Sequence, residues 1–563
     1  MRYPILLGMT PRAYVLAIAA GLGLADASIV TLALPPILVD LDTTVEGVAA
    51  VVGIYTAVLA VGLLPAAALE RRVSARFAGA AGLAVFAFAG AMCGTVDDLR
   101  TLLIWRALQA AGAALALVAA FALLGPGNAW RRAALLGAAV GPALGGALTQ
   151  LFDWRAIFLF QAPVAALAAV ACLAAGAGSR TVAGAAETLP VPARRPLSLP
   201  RALVALAALS AALTGVLFLV VLLLIAGWSL EPLAAAAVVS VLPVAALAGS
   251  RIGGPPAVRA AAGCSLVAGG VLACAWLPGA SVGWVIAPLL VAGAGMGMAL
   301  GALAGELLPE RTPREAAGVL TVRHAGITLV LLLLAPVTSA QLDRSVDRTR
   351  ERGVALLLDA QLPPLDKLAL AGPLVSQLDP VDPRDGLRRA LAAGARRFND
   401  DPEQRRVYAE VRVRADEALV GGIDSAFRAA FLICGAFALV GTVAALPRDR
   451  RGIGIVVAAT AGALLVPAAN AAAVRRYAPE PIPIADPCKH RKLPGTGGID
   501  GLLQDAALAA LDRAACRFGT SREELALALA DPAAAREYKR EHGVDPRSVG
   551  GVLQGLLALS PPG

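Results

Sequence analysis

The residue best placed to do chemistry is a carboxylate inside the first apolar run. Asp26 sits in Ala25-Asp26-Ala27, within a stretch that is otherwise apolar from about 13 to 35. An ionisable group in a membrane helix costs at least about 2.5–3.5 kcal/mol, so it usually faces a partner or a cavity. Arg106, in the fourth apolar run at 100–124, is a fitting partner. At about 1.5 Å per residue, Asp26 lies about 20 Å above residue 13. Arg106 enters one to two turns into its own run from the opposite side, so the two reach similar depth. Pairing favours the ionised carboxylate, and low dielectric favours the neutral acid. A carboxylate balanced between those effects is suited to carrying a proton. The same pair also reads as a structural lock between helices. Gln109, one turn deeper, can hydrogen-bond a substrate or a neighbouring helix.

Other polar groups lie near run ends. Glu306, Arg323 and His324 fall near the ends of the tenth and eleventh runs. They read as an inner gate or second proton site, because histidine titrates near neutral pH, or as ordinary interfacial charges. Gly137, Gly141 and Gly145 recur at i, i+4 on one face, a spacing that permits close helix contact. Gly141-Pro142 removes a backbone donor and invites a kink. The run Gly293 to Gly297 lacks the strand–helix unit of a nucleotide fingerprint, and no Gly-x-x-x-x-Gly-Lys-Ser/Thr run exists. With three histidines and no Ser/His/Asp arrangement, the chain reads as no enzyme. No C-x-x-C pair or His-rich spacing implies a metal site or other cofactor.

These residues need elements that hold them in lipid. A span takes about 20 apolar residues. Apolar runs lie near 13–35, 47–69, 77–95, 100–124, 133–152, 156–177, 202–227, 232–250, 260–277, 281–305, 315–339, 423–446 and 453–471. The first run resembles a signal peptide in its Arg2 and Arg12, but it continues through Leu34, long enough to span. Arginine clusters fall in alternate loops: Arg71, Arg72 and Arg76; Arg131 and Arg132; Arg194, Arg195 and Arg201; Arg251 and Arg259; Arg311 and Arg314; Arg448, Arg450 and Arg451. The opposite short loops carry acids such as Asp40, Asp97, Asp153 and Glu231. That asymmetry predicts a cytoplasmic N-terminus and an extracytoplasmic C-terminus. A polar region over 341–422 reads as amphipathic helices in an extracytoplasmic loop. After the last span, a Pro-rich linker leads into a helical tail over 475–563. Cys488 and Cys516 lie in that tail and are expected to form a disulfide on the oxidising side; two free thiols in a cytoplasmic tail would require an even span count. The other five of the seven cysteines sit in apolar runs as packing residues.

Composition agrees. The chain of 563 residues is 58% hydrophobic and 16% charged, with a mean hydropathy of +0.72. A soluble protein uses roughly 45–50% apolar and 25% charged residues. The net charge of +9 is spread over loops and not gathered on one face, which argues against a nucleic-acid partner.

Four segments resemble the major facilitator superfamily, specifically its drug:proton antiporters of the fourteen-span type. Ala25-Asp-Ala-Ser-Ile-Val-Thr-Leu-Ala-Leu-Pro-Pro-Ile37 is similar to its Asp-containing first-helix motif. Arg106-Ala-Leu-Gln109-Ala-Ala-Gly112 resembles its Arg-x-x-Gln motif. Gly137-Ala-Ala-Val-Gly141-Pro142-Ala-Leu-Gly145-Gly146 resembles its antiporter motif. Asp153-Trp-Arg-Ala-Ile-Phe158 resembles its entry to the sixth span. The signature loop between spans two and three is altered: Glu70-Arg71-Arg72 keep charge, but the glycines are gone. The resemblance implies an all-α polytopic protein with two six-helix bundles, over 1–178 and 201–446, joined by a cytoplasmic linker over 179–200. One additional span at 452–472 precedes the tail. It further implies a monomeric proton-coupled antiporter in the cytoplasmic membrane, surrounded by lipid, that exports a small lipophilic or cationic substrate. Asp26 would carry the proton, Arg106 would tune it, and Glu70, Arg71 and Arg72 would gate. The alternative reading is a transporter-derived envelope sensor or assembly protein that works through its exported loop and tail.

Overall fold

The computed structural model describes residues 11–125, 128–174, 197–308, 311–363, 366–367, 370, 383–398, 401–477, 480, 482–489, 491, 493–495 and 498–548. Most of the expected central linker, with Arg180, Arg194 and Arg195, lies outside them, as do Arg2 and the last residues of the tail. Among the described residues there is no strand. The chain forms two compact units. The first holds the described residues up to Ile225, then Leu230–Ala340 and Phe427–Val474. The second holds Ala226–Ser229, Gln341–Ala426 and the described residues from Arg475.

The first unit is a bundle. Its N-terminal half runs α1 (Pro11–Thr31), α2 (Leu34–Asp40), α3 (Val45–Val73), α4 (Ala75–Cys93), α5 (Leu99–Leu124), α6 (Asn128–Leu151) and α7 (Arg155–Leu173). Its C-terminal half runs α8 (Leu199–Leu222), α9 (Pro232–Gly249), α10 (Pro256–Ala273), α11 (Gly283–Ala302) and the first part of α12 (Pro313–Asp359). Eleven helices among the described residues are long and apolar enough to cross a membrane, and α1 with α2, bent by 57° at their junction, meets the same standard as a pair. Pro35 and Pro36 explain that bend, since they open α2 without the N–H groups that would continue α1. Helix α6 stands where the fifth run was expected. Thr44 and Asp98 cap α3 and α5, accepting from Gly47 N at 3.2 Å and Thr101 N at 2.9 Å.

Small residues set the spacing. A side chain at Gly137 would collide with the Gly21 carbonyl, and one at Gly145 with the Ile29 carbonyl, so α6 lies directly on α1. Gly146 faces the other way, against Ala236 of α9, and Gln150 Oε1 accepts from Leu233 N at 2.8 Å. Helix α6 therefore joins the two halves near its C-terminal end. Near the opposite end Ala316, Ala317 and Leu320 of α12 enter the apolar cluster of Leu63, Ala66 and Ala67. The halves thus touch at both ends. The additional span, α15 (Arg450–Tyr477), lies on α10. Gly269 leaves room for the Ala463 backbone, Ser265 bonds Thr460 at 2.8 Å, and Asn470 donates to the Ala273 carbonyl at 3.1 Å.

Two helices differ from expectation. Helix α12 does not end near residue 340 but continues to Asp359, and α14 (Pro402–Ala445) begins well before the last core span. Hydropathy marks where apolar residues stop, whereas Gln341–Asp359 holds good helix formers and no proline, so the backbone continues. The expected gating loop is also helical. Glu70, Arg71 and Arg72 form the last turn of α3, and Ser74 alone separates α3 from α4.

The second unit combines the loop with the tail. It contains the end of α12, α13 (Pro383–Ala395), the start of α14, α16 (Gly498–Phe518), α17 (Arg522–Ala530) and α18 (Pro532–His542). Buried Arg522 bonds Asp359 at 2.8 Å, and Arg491 reaches Asp359 at 2.7 Å and Glu523 at 2.9 Å. Leu525, Ala528 and Tyr538 close over Ala514 and Ala515. Cys488 and Cys516 form a disulfide that ties the linker to α16. The other five cysteines are buried.

Two stability outcomes follow. Replacing both Cys488 and Cys516 by Ser should cost the tail about 3 kcal/mol through the entropy of the opened chain; hydrogen exchange over 498–542 should then rise sharply while exchange in α3 and α5 does not. Ser74 holds φ at 88°, a conformation that costs a residue with a Cβ about 1–3 kcal/mol. Ser74→Gly should therefore raise the thermal midpoint in detergent, and a fall would show that the turn is unstrained.

Candidate functional site

The apolar sequence of α1 and α5 leaves few polar atoms, and those few converge. Asp26, Arg106 and Gln109 are each fully buried. Arg106 Nη2 donates to Asp26 Oδ2 at 2.6 Å and Nη1 to Oδ1 at 3.1 Å, a two-pronged pair between helices distant in sequence. Nη1 also donates to Gln109 Oε1 at 2.6 Å, and Nε to the Val51 carbonyl of α3 at 3.3 Å. The guanidinium lies over the Tyr55 ring at 4.4 Å and near the Phe158 ring at 5.4 Å. Tyr55 in turn donates to the Gly23 carbonyl at 3.2 Å. One arginine so connects α1, α3, α5 and α7. Asp26 is the carboxylate paired with Arg106, and its protonation would remove that charge pairing.

Sequence reading did not single out Gln161. It lies in α7, is 1% exposed, and has neither amide atom hydrogen-bonded. Its side chain lines a cavity of about 20 Å³ with Gly23, Ala113 and Leu117, large enough for one water molecule. Buried amide atoms are normally partnered. The signal available in the sequence was a lone amide in an apolar run. Gln109 Nε2 is likewise unpartnered.

The other expected residues fall elsewhere. Gly137, Gly141 and Gly145 line the α1 seam, Gly141 against Ser28 and Ala25, while Gly146 faces α9; Pro142 lies within α6. Glu306 sits on a π-helical turn after α11 and pairs with Arg259 at 2.6 Å. His324 is buried, with Nδ1 2.8 Å from the Leu320 carbonyl, and Arg323 is half-buried. Arg71 and Arg72 are exposed and Glu70 is half-buried. Trp154 and Arg155 form a cap: Trp154 Nε1 donates to Asp40 at 3.0 Å, and Arg155 reaches Asp40 at 2.7 Å and Asp97 at 2.9 Å. In the second unit Glu524, Glu541 and His542 converge, and His542 is spent on Glu524 at 2.8 Å.

The Major Facilitator Superfamily profile matches residues 16–333. The drug efflux pump JefA of Mycobacterium tuberculosis is 30% identical over 174 residues, which cover 28% of this chain and 34% of JefA. The multidrug resistance protein Stp of the same species is 32% identical over 165 residues, covering 27% and 31%. The Tetracenomycin C resistance and export protein of Streptomyces glaucescens is 32% identical over 175 residues, covering 29% and 32%. The chain thus spans about a third of the length of these relatives. Among solved structures, a bacterial homolog to human lysosomal transporter, Spinster, in an inward-facing and unoccupied conformation has a TM-score of 0.51 at 16% identity, covering 79% of this chain and 100% of that one. That likeness is one of fold. The profile covers more than half of the chain, and the chain therefore belongs to the Major Facilitator Superfamily, as a helical multi-pass membrane protein.

Proposed function

We propose that the chain is a proton-coupled antiporter that exports small lipophilic or cationic compounds across the cytoplasmic membrane, its N-terminus inside and its C-terminus outside. The buried Asp26–Arg106–Gln109 assembly carries this reading. Protonating Asp26 removes the charge that holds Arg106 to α1. Arg106 keeps its bonds to Gln109 and the Val51 carbonyl, so the tie that weakens is the one between α1 and α5. Helix α6, pressed on α1 on one face and on α9 on the other, passes the change to the contact between halves. Substrate would bind near the midplane between them. Access would alternate as one end contact opens, with Glu306, Arg323 and His324 near the inner end and Glu70, Arg71 and Arg72 beside it. The names of the relatives, which speak of efflux, resistance and export, support the direction. The unit works as a monomer with lipid around it.

A second reading, an envelope sensor or assembly protein, is favoured by one observation: the loop and tail share a compact unit with its own disulfide.

In inside-out vesicles, a cationic dye should move with the pH gradient in the wild type and not in Asp26→Asn at equal membrane abundance, while truncation after Val474 spares efflux. The sensor reading requires the opposite pattern. Gln161→Leu removes two unpartnered buried amide atoms, which should raise stability by about 1–3 kcal/mol. If Gln161 serves transport, the same variant should lower the efflux rate; full efflux would assign it to packing alone.

A further inference from the structure

The second unit holds a cavity of about 290 Å³ lined by α12, α13, α14, α16 and α17. This is about twice the volume of an engineered apolar cavity that takes up benzene. Its walls are aliphatic, with Val354, Leu391, Val411 and Leu527 among them, and alanines and Gly353 stand where larger side chains would fill the space. An apolar cavity weakens a fold in proportion to its volume, so a unit that builds one from small residues gains stability when an apolar ligand fills it.

The charged groups on the wall are of one sign. Among the described residues Arg350 and Lys367 line the cavity and no carboxylate does, although Asp347, outside the lining, lies 3.9 Å from the Arg350 Nη1. Lys367 is buried, and its amine donates to the Leu358 carbonyl at 2.8 Å. With its amide oriented to satisfy both neighbours, Gln504 accepts from the same amine at 3.0 Å. The Arg350 Nε is buried without a partner. An apolar interior with two cations at its wall matches a single apolar chain that ends in an anion. We infer that this cavity is a binding site for a single-chain amphiphile with an anionic head, its chain among Val354, Leu391 and Leu527 and its head toward Lys367 and Arg350.

This inference does not depend on the transport reading. Burial pushes the Lys367 amine down to about 8, with Asp359 and Asp505 opposing the shift and Arg522 adding to it. The amine is thus still largely protonated at pH 7 and loses its charge as pH rises through that value.

The test is photolabelling of the full chain in lipid nanodiscs with a diazirine-bearing dodecanoate, followed by peptide mapping. Label is expected on peptides that contain Val354, Leu391 or Leu527. Dodecanoate or dodecyl phosphate should displace it about tenfold better than dodecanol or dodecylamine, and the better of the two anions identifies the head. Lys367→Met should erase the preference for anion over alcohol while leaving the label in place, and the preference should fade above pH 8. Ala526→Phe, which fills the cavity, should abolish labelling with the Cys488–Cys516 bond still formed. Label confined to the apolar spans, or equal displacement by anion, alcohol and amine, would overturn the assignment. The competition series uses the unaltered chain, so the result stands even if Ala526→Phe does not fold.

Discussion

A charge cannot stay alone in hydrocarbon, and the N-terminal half is arranged around that constraint. Arg106 has five donors in a planar fork, and the bundle meets them with Asp26, Gln109, the Val51 carbonyl and two aromatic faces. Those partners come from four helices, so satisfying one side chain fixes the relative position of α1, α3, α5 and α7. Removing either member of a buried ion pair strands the other at a cost of about 3–5 kcal/mol. The pair is therefore structural: it holds the helices together while both charges are present.

Small residues in the first unit keep helices close enough for that geometry. Helix α6 sits against the backbone of α1 at Gly21 and Ile29 and against α9 at Ala236. Packing and interhelical contact, more than the hydrophobic effect, hold helices together in lipid, so small residues at the seam do the work that large apolar ones do in a soluble core. The halves touch through Gly146 and Gln150 near one end and through Ala316 and Leu320 near the other.

Much of this was legible in the residues. Apolar runs located the spans, and counting rise from residue 13 brought Asp26 and Arg106 to one depth, where they meet. The glycines of α6 announced a seam, although only coordinates show that Gly146 turns to a different helix from Gly145. What stayed hidden depended on contacts between distant segments. Asp359 gives no sign that Arg491 and Arg522 will reach it, and Asp40 none that it will hold Trp154 and Arg155. The continuation of α12 past residue 340 was obscured because hydropathy reports the solvent, not the hydrogen-bonded backbone. The cavity in the second unit was invisible for the same reason: its walls come from the loop and the tail, which share no motif.

The second unit is assembled from two stretches of chain, 341–426 and the residues from Arg475, that are separated by the apolar end of α14 and by α15. In the proposed topology two consecutive crossings return the chain to the side it left, where the tail meets the loop. The additional helix is thus a return stroke whose product is the shared unit. It also sets an order of events during biosynthesis. The loop is made first, and its Asp359 meets Arg491 and Arg522 only once the tail has followed.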